Sequence, residues 1–283
     1  MKPTRTFEAS LLANEDRFGD PFFKRFTLRP APAPLRLSDT IEKTYRFPTF
    51  YGNVTTAIGI FLCDYAKAKA RLPHPAMKPV RMPGGRAVVT FSCYEYKNVM
   101  NVPPYNEVAM TIPVLVDAPL DLPVLPLLWG GYPGFGYYVM HMPVTSQENQ
   151  IRGTKLWGLP KVTEEIDLRE EGGDCVTTCI DEGGRPYFTL RVPMSGKAKQ
   201  FDVSAWIYSM REPKLVRGRT NFQGNFQVTK RGGFHVGRTY LETAEHGVGA
   251  VLRGLDLDPT PFQTRYAKPV NAAFDLPDPG WER

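Results

Sequence analysis

From Glu107 to Val116 the chain alternates without a break. Val108, Met110, Ile112, Val114 and Val116 fall on one face of an extended strand, and Glu107, Ala109 and Thr111 on the other. A period of two dominates elsewhere. Residues 87–94 (Ala-Val-Val-Thr-Phe-Ser-Cys-Tyr) are β-branched and aromatic, and residues 137–142 and 162–168 read as further strands. Residues 176–180 and 187–192 flank Asp181-Glu182-Gly183-Gly184-Arg185-Pro186, a hairpin signal, and residues 225–230 and 233–241 suggest a second pair. Helical signals are fewer. One covers residues 64–72 and stops at Pro73. Thr145-Ser146-Gln147-Glu148 has capping-box form and predicts a helix running to Leu156 or Trp157. Pro160 disfavours the helical conformation at Leu159 and so ends it. A third candidate spans residues 241–253. The sum predicts an α+β, β-dominated fold, an antiparallel sheet with a few covering helices.

Residues 1–45 read as an N-terminal arm and residues 46–283 as the single functional domain. Pro30-Ala31-Pro32-Ala33-Pro34 favours extended polyproline geometry, so the arm docks on the body, embraces a neighbouring subunit or stays mobile. With 283 residues, 42% hydrophobic and 23% charged, the chain has the composition of a globular protein with a real core. No apolar run reaches the ~18 residues of a membrane span, and the first twenty residues are too polar for a signal peptide. These features predict a cytoplasmic protein with no membrane partner. The net charge of +6 is scattered rather than striped, which argues against nucleic acid and suits a small acidic ligand. The four cysteines form no disulfide framework. Cys175 and Cys179 are four apart in a predicted strand, on one face, and read as packing residues rather than metal ligands.

The candidate chemistry lies in Gly153-Thr154-Lys155-Leu156-Trp157-Gly158-Leu159-Pro160-Lys161. This segment delivers one lysine behind a proline, at a helix-to-strand junction held from both sides. An ordinary lysine, with a pKa of about 10.4, is neutral at pH 7 in only about one molecule in a few thousand. Burial disfavours the ammonium and frees the amine to attack a carbonyl. His141 sits in a strand-like run and reads either as an inward acid/base residue or as a satisfied core or surface histidine. His74, His235 and His246 show no ligand spacing, Ser195 is not in a nucleophile elbow, and Gly183-Gly184 and Gly232-Gly233 are turn glycines.

Two segments together resemble the acetoacetate decarboxylase family. The first matches at Tyr105, Glu107, Ile112, Pro113 and Val114; the second matches at Gly153, Leu156, Pro160 and Lys161 without a gap. The likeness runs over about residues 45–276. It implies a cone-like β-barrel with Lys161 in an apolar cavity and Lys161 and Glu107 as the catalytic residues; Ser92, Tyr105, Leu159 and His141 are read as the substrate contacts. It implies a small keto-acid substrate and a homo-oligomer. It implies no metal and no cofactor, because the imine itself is the electron sink. Lysine activation of this kind is a known example of a nucleophile tuned by its surroundings.

The family pattern is also broken in places. Val162 follows the lysine where a second lysine is common, so activation has to come mainly from burial. Moving a lysine from about 10.4 to about 7 takes roughly 5 kcal/mol against the cation. Fifteen residues before Glu107 the family carries a second glutamate; here Ser92 stands there. A family arginine aligns at or near Leu62, and Thr154 and Lys155 replace an Arg-Glu pair. Three readings follow: a lyase decarboxylating a β-keto acid through a Lys161 imine, an aldolase-dehydratase using the same lysine on pyruvate-type acids, and a non-catalytic barrel that carries an apolar small molecule. The apolar loop between the two motifs, around Trp129, reads as an insertion that reshapes or covers the cavity mouth.

Overall fold

A computed structural model describes residues 1–283. Seven strands close into a barrel: β1 (Thr49–Asp64), β2 (Arg86–Val99), β3 (Tyr105–Val116), β4 (Phe135–Val144), β5 (Lys197–Arg211), β6 (Lys214–Lys230) and β7 (Gln263–Glu282). Around the ring the order is β4-β5-β6-β7-β1-β2-β3 and back to β4. Every step is antiparallel except β4–β5, where Gly136, Tyr137 and Tyr138 run parallel to Trp206, Ile207 and Tyr208. The β-dominated barrel expected from the resemblance is thus the observed fold.

Strands β2 and β3 show how the sequence builds the wall. All of β3 is buried. Its outer face, Val108 to Val116 in steps of two, joins one large core with Ile166, Cys175, Cys179, Phe188 and Leu190. Those residues come from a four-stranded sheet (Glu165–Glu171, Asp174–Ile180, Pro186–Pro193 and Leu241–Thr243) laid against the outside of the barrel. Cys175 and Cys179 are packing residues there, both buried and free. The inner face of the wall, with Tyr105 and Ala109 of β3 and Tyr94 and Tyr96 of β2, belongs to a second cluster that fills the interior.

Helix α1 (Tyr65–Lys69) follows β1 directly, capped by Asp64, whose side chain accepts from the Lys67 N–H. Helix α2 (Gln147–Trp157) closes one end of the barrel. Its cap is Ser146, whose Oγ accepts from the Asn149 N–H, and not Thr145. Thr145 Oγ1 instead accepts from the Asn106 N–H at 2.9 Å, which ties the helix start to β3. Gly158 ends α2 in the left-handed region (φ 66°), where a side chain would be strained.

Two expectations change. Residues 233–240 form no strand, and Asn225 to Lys230 instead lie inside the long strand β6, paired with β5 and β7. The third helix, α3 (Gly247–Arg253), starts later than expected because Leu241–Thr243 pairs with residues 188–190.

Residues 1–45 lie on the body. Phe18, Phe22 and Phe23 pack with Phe50, Met100 and Ala273. Lys43 Nζ reaches Glu148 of α2 at 3.0 Å, and the Tyr45 hydroxyl donates to the same carboxylate at 2.6 Å, with all three side chains buried. No helix of the chain is long and apolar enough to cross a membrane.

Candidate active site

After Pro160 the chain turns into a short strand, Lys161–Thr163, that runs parallel to the end of β4, with Lys161 opposite Met142. This register aims the lysine into the barrel. Its Nζ lies 2.5 Å from Glu107 Oε2, and the two side chains are 8% and 7% exposed. The Tyr96 hydroxyl donates to the other oxygen, Glu107 Oε1, at 3.2 Å. The Tyr105 ring centroid lies 5.8 Å from the amine. Tyr51, Tyr94, Tyr96 and Tyr105 form a linked aromatic wall, with Tyr94 and Tyr96 stacked at 5.3 Å and Tyr51 tilted against Tyr96 at 4.6 Å.

Burial pushes the Lys161 pKa below its ordinary value of 10.5. Glu107 opposes the shift by attracting the ammonium, and the guanidinium of Arg152 adds to it by repulsion. The like charge that Val162 does not supply therefore comes from α2. Arg152 is buried without a carboxylate of its own. It donates to Asn149 Oδ1 at 2.8 Å and Thr49 Oγ1 at 2.9 Å and lies 4.3 Å over the Tyr45 ring. Glu148, one turn back on α2, is already held by Lys43. Burial and then the Glu107 charge hold the Tyr96 pKa well above the usual phenol value, so its hydroxyl keeps its proton.

Gly153 makes room for the lysine. A Cβ at this position would stand 2.6 Å from Lys161 Cε and closer still to Cδ. Gly153→Ala is expected to push the stem aside and lower kcat/KM about 100-fold, as misplacement of a reacting group by about 1 Å can do. Steady-state kinetics together with a Tm measurement separates displacement of the amine from loss of the fold.

Of the residues singled out from the sequence, Lys161, Glu107 and Tyr105 come together. Ser92 lies on the same inner wall, opposite Ala109 and two residues from Tyr94. Leu159 is buried behind the lysine, and its carbonyl accepts from the Lys161 N–H at 2.8 Å. His141 is not brought to the site. It lies opposite Met110 of the outer wall and faces Tyr187 of the four-stranded sheet, with ring centroids 6.4 Å apart. A register shift in β4 between its pairings with Met110 and Thr111 turns it outward. Burial lowers its pKa to about 4, so it is neutral at pH 7. Tyr96, Tyr94 and Tyr51 were not singled out from the sequence as site residues. The first two were within reach of a strand reading, since they share a face with Ser92. No group of three or more His, Cys, Asp or Glu side chains is arranged to hold a metal ion.

Residues 32–251 match the family model for acetoacetate decarboxylase (ADC). Among solved structures the chain resembles an acetoacetate decarboxylase at 16% identity, over 82% of this chain and 88% of that one, with a TM-score of 0.55. It also resembles the acetoacetate decarboxylase (ADC) from Legionella pneumophila subsp. pneumophila str. Philadelphia 1 (16% identity, 89% and 93% covered, TM-score 0.57). A third similar structure is the enduracididine biosynthesis enzyme MppR complexed with pyruvate (12% identity, 83% and 90% covered, TM-score 0.52). At these identities the likeness to solved structures is one of fold. No curated protein matches the chain in sequence. The family model spans well over half of the residues, and on that match the chain belongs to the acetoacetate decarboxylase (ADC) family.

Proposed function

We propose that the protein is a Schiff-base-forming lyase that decarboxylates a β-keto acid through an imine on Lys161. One observation carries the reading: a lysine and a glutamate paired at 2.5 Å inside an aromatic-lined barrel. Glu107 takes the ammonium proton, and the free amine attacks the substrate ketone. The same carboxyl returns the proton to the departing hydroxyl, and water leaves. The iminium then accepts the electron pair of the breaking C–C bond, CO₂ departs and an enamine remains. Protonation at carbon and hydrolysis of the imine release the ketone and restore the amine. The surrounding tyrosine rings keep bulk water from the intermediate.

Borohydride added with acetoacetate, and separately with pyruvate, is expected to reduce the imine and leave a mass increase on the Lys161 peptide. No adduct with either acid overturns the reading. A second outcome of the same imine is aldol condensation and dehydration on a pyruvate-type acid. It is favoured by Ser92 and Leu62, which stand where the family pattern has charged residues. Enzymatic CO₂ release from a β-keto acid excludes it as the main activity.

A further inference from the structure

Arg265 of β7 lies opposite Ile58 of β1 and Val228 of β6. Ile58 in turn lies opposite Ser92, and Ser92 opposite Ala109. Ile58 and Val228 both belong to the interior cluster, so Arg265 faces inward. Its guanidinium lies 4.9 Å over the Phe201 ring, and its Nε donates to Gln263 Oε1 at 2.6 Å. It forms no ion pair. Burial lowers its pKa, and the nearby Tyr137 raises it.

The strand register gives its level along the barrel relative to Glu107. Glu107, Tyr94, Thr56 and Ala267 form one rank across β3, β2, β1 and β7. Arg265 is two residues from Ala267, about 7 Å along the strand. It lies on the side away from Arg152, which holds Thr49 at the start of β1. Arg152 and Arg265, neither with a carboxylate partner, thus lie on opposite sides of the rank that carries Glu107.

Charge counting points to a dianion. In and beneath the barrel, Lys43, Arg152, Arg265 and the Lys161–Glu107 pair face the carboxylate of Glu148, an excess of two positive charges whether the shared proton lies on the amine or on Glu107. An iminium beside an ionised Glu107 leaves the same excess. Buried charge of one sign calls for a counter-ion. The carboxylate that leaves as CO₂ is a poor partner for Arg265, because gripping it would stabilise the ground state and oppose the reaction.

We propose that Arg265 binds a second, non-reacting carboxylate, so that the site takes β-keto dicarboxylates in preference to acetoacetate. The inference deepens the Schiff-base reading and rests on it. With 3-oxohexanedioate, the bond between C1 and C2 breaks, CO₂ departs, and its electron pair passes into the iminium. The enamine takes a proton at C2, and hydrolysis gives 4-oxopentanoate.

The test compares initial rates on 3-oxohexanedioate and on its distal methyl ester for the wild type, Arg265→Gln and Arg265→Lys. Loss of the charge-assisted bond is expected to raise KM for the diacid about 10- to 100-fold in Arg265→Gln, with kcat changed little. Arg265→Lys recovers part of the loss, and the ester is unaffected. Equal effects on diacid and ester, or none, overturn the inference. Calorimetry with hexanedioate, which cannot react, decides the point independently of turnover. Binding at least about tenfold weaker in Arg265→Gln supports it, and unchanged binding overturns it. Borohydride trapping on the same proteins reports the imine separately, so a failed Schiff-base reading is not confused with a failed role for Arg265.

Discussion

Replacing Lys161 with methionine is expected to abolish borohydride trapping and to cut turnover by a factor on the order of 10⁴ or more, since nothing else in the barrel can form the imine. Methionine fills most of the same space but leaves Glu107 buried without its ammonium. Breaking a buried pair from one side costs about 3–5 kcal/mol, so a lower Tm should accompany the loss of activity. The double replacement Lys161→Met with Glu107→Gln removes both charges and should regain much of that stability while staying inactive. This separates chemistry from folding. In the wild type, trapping should rise with pH and level off above the Lys161 pKa, which burial places below 10.5. The stability linkage has the same origin. The penalty on the folded cation is complete below that pKa and fades as pH climbs from there to 10.5. An amine that titrates at 10.5 or above in the folded protein, followed by the pH dependence of its chemical labelling, would sink the proposed mechanism.

Glu107→Gln is expected to lower kcat by about 10²- to 10⁴-fold, the range of a lost general acid/base. Trapping should slow without disappearing, because the nucleophile remains. The pH profile gives a sharper reading. Glu107 raises the Lys161 pKa through its charge and its hydrogen bond, so removing the carboxylate should shift the midpoint of imine formation to lower pH even as turnover falls. A midpoint that does not move, or moves upward, would mean that the carboxylate does not act on the amine in solution.

The barrel and its chemical pair were legible because local rules agreed there. The alternation of residues 107–116 assigned Glu107 to the face opposite the bulky aliphatics, and that face is the interior. Pro160 was expected to end the helix, and α2 does stop at Trp157 before it, so the position of Lys161 after a helix followed from a backbone constraint. Strands β1 and β7 were harder. Strand β1 is apolar on both faces over residues 57–63, so its sequence does not alternate, while β7 carries Pro269, Pro277 and Pro279, residues that ordinarily argue against a strand. Thr145 was assigned the cap because a helix start is judged from its own residues, whereas its hydroxyl is taken by Asn106, thirty-nine residues earlier. His141 was misread for a related reason. A shifted pairing inside β4 reverses which residues look inward, and nothing in residues 137–142 marks it. Arg265 stayed hidden because its neighbours Ile58 and Val228 come from two other strands, distant in the chain, that only the sheet brings together.

Strand β7 lies between β1 and β6 and follows every other stave of the barrel in the chain. During synthesis, six staves emerge before the one that joins the earliest of them to the latest. Until β7 pairs with both neighbours the ring cannot close, so the interior that buries Lys161 and Glu107 is complete only once the last stave in the chain is in place.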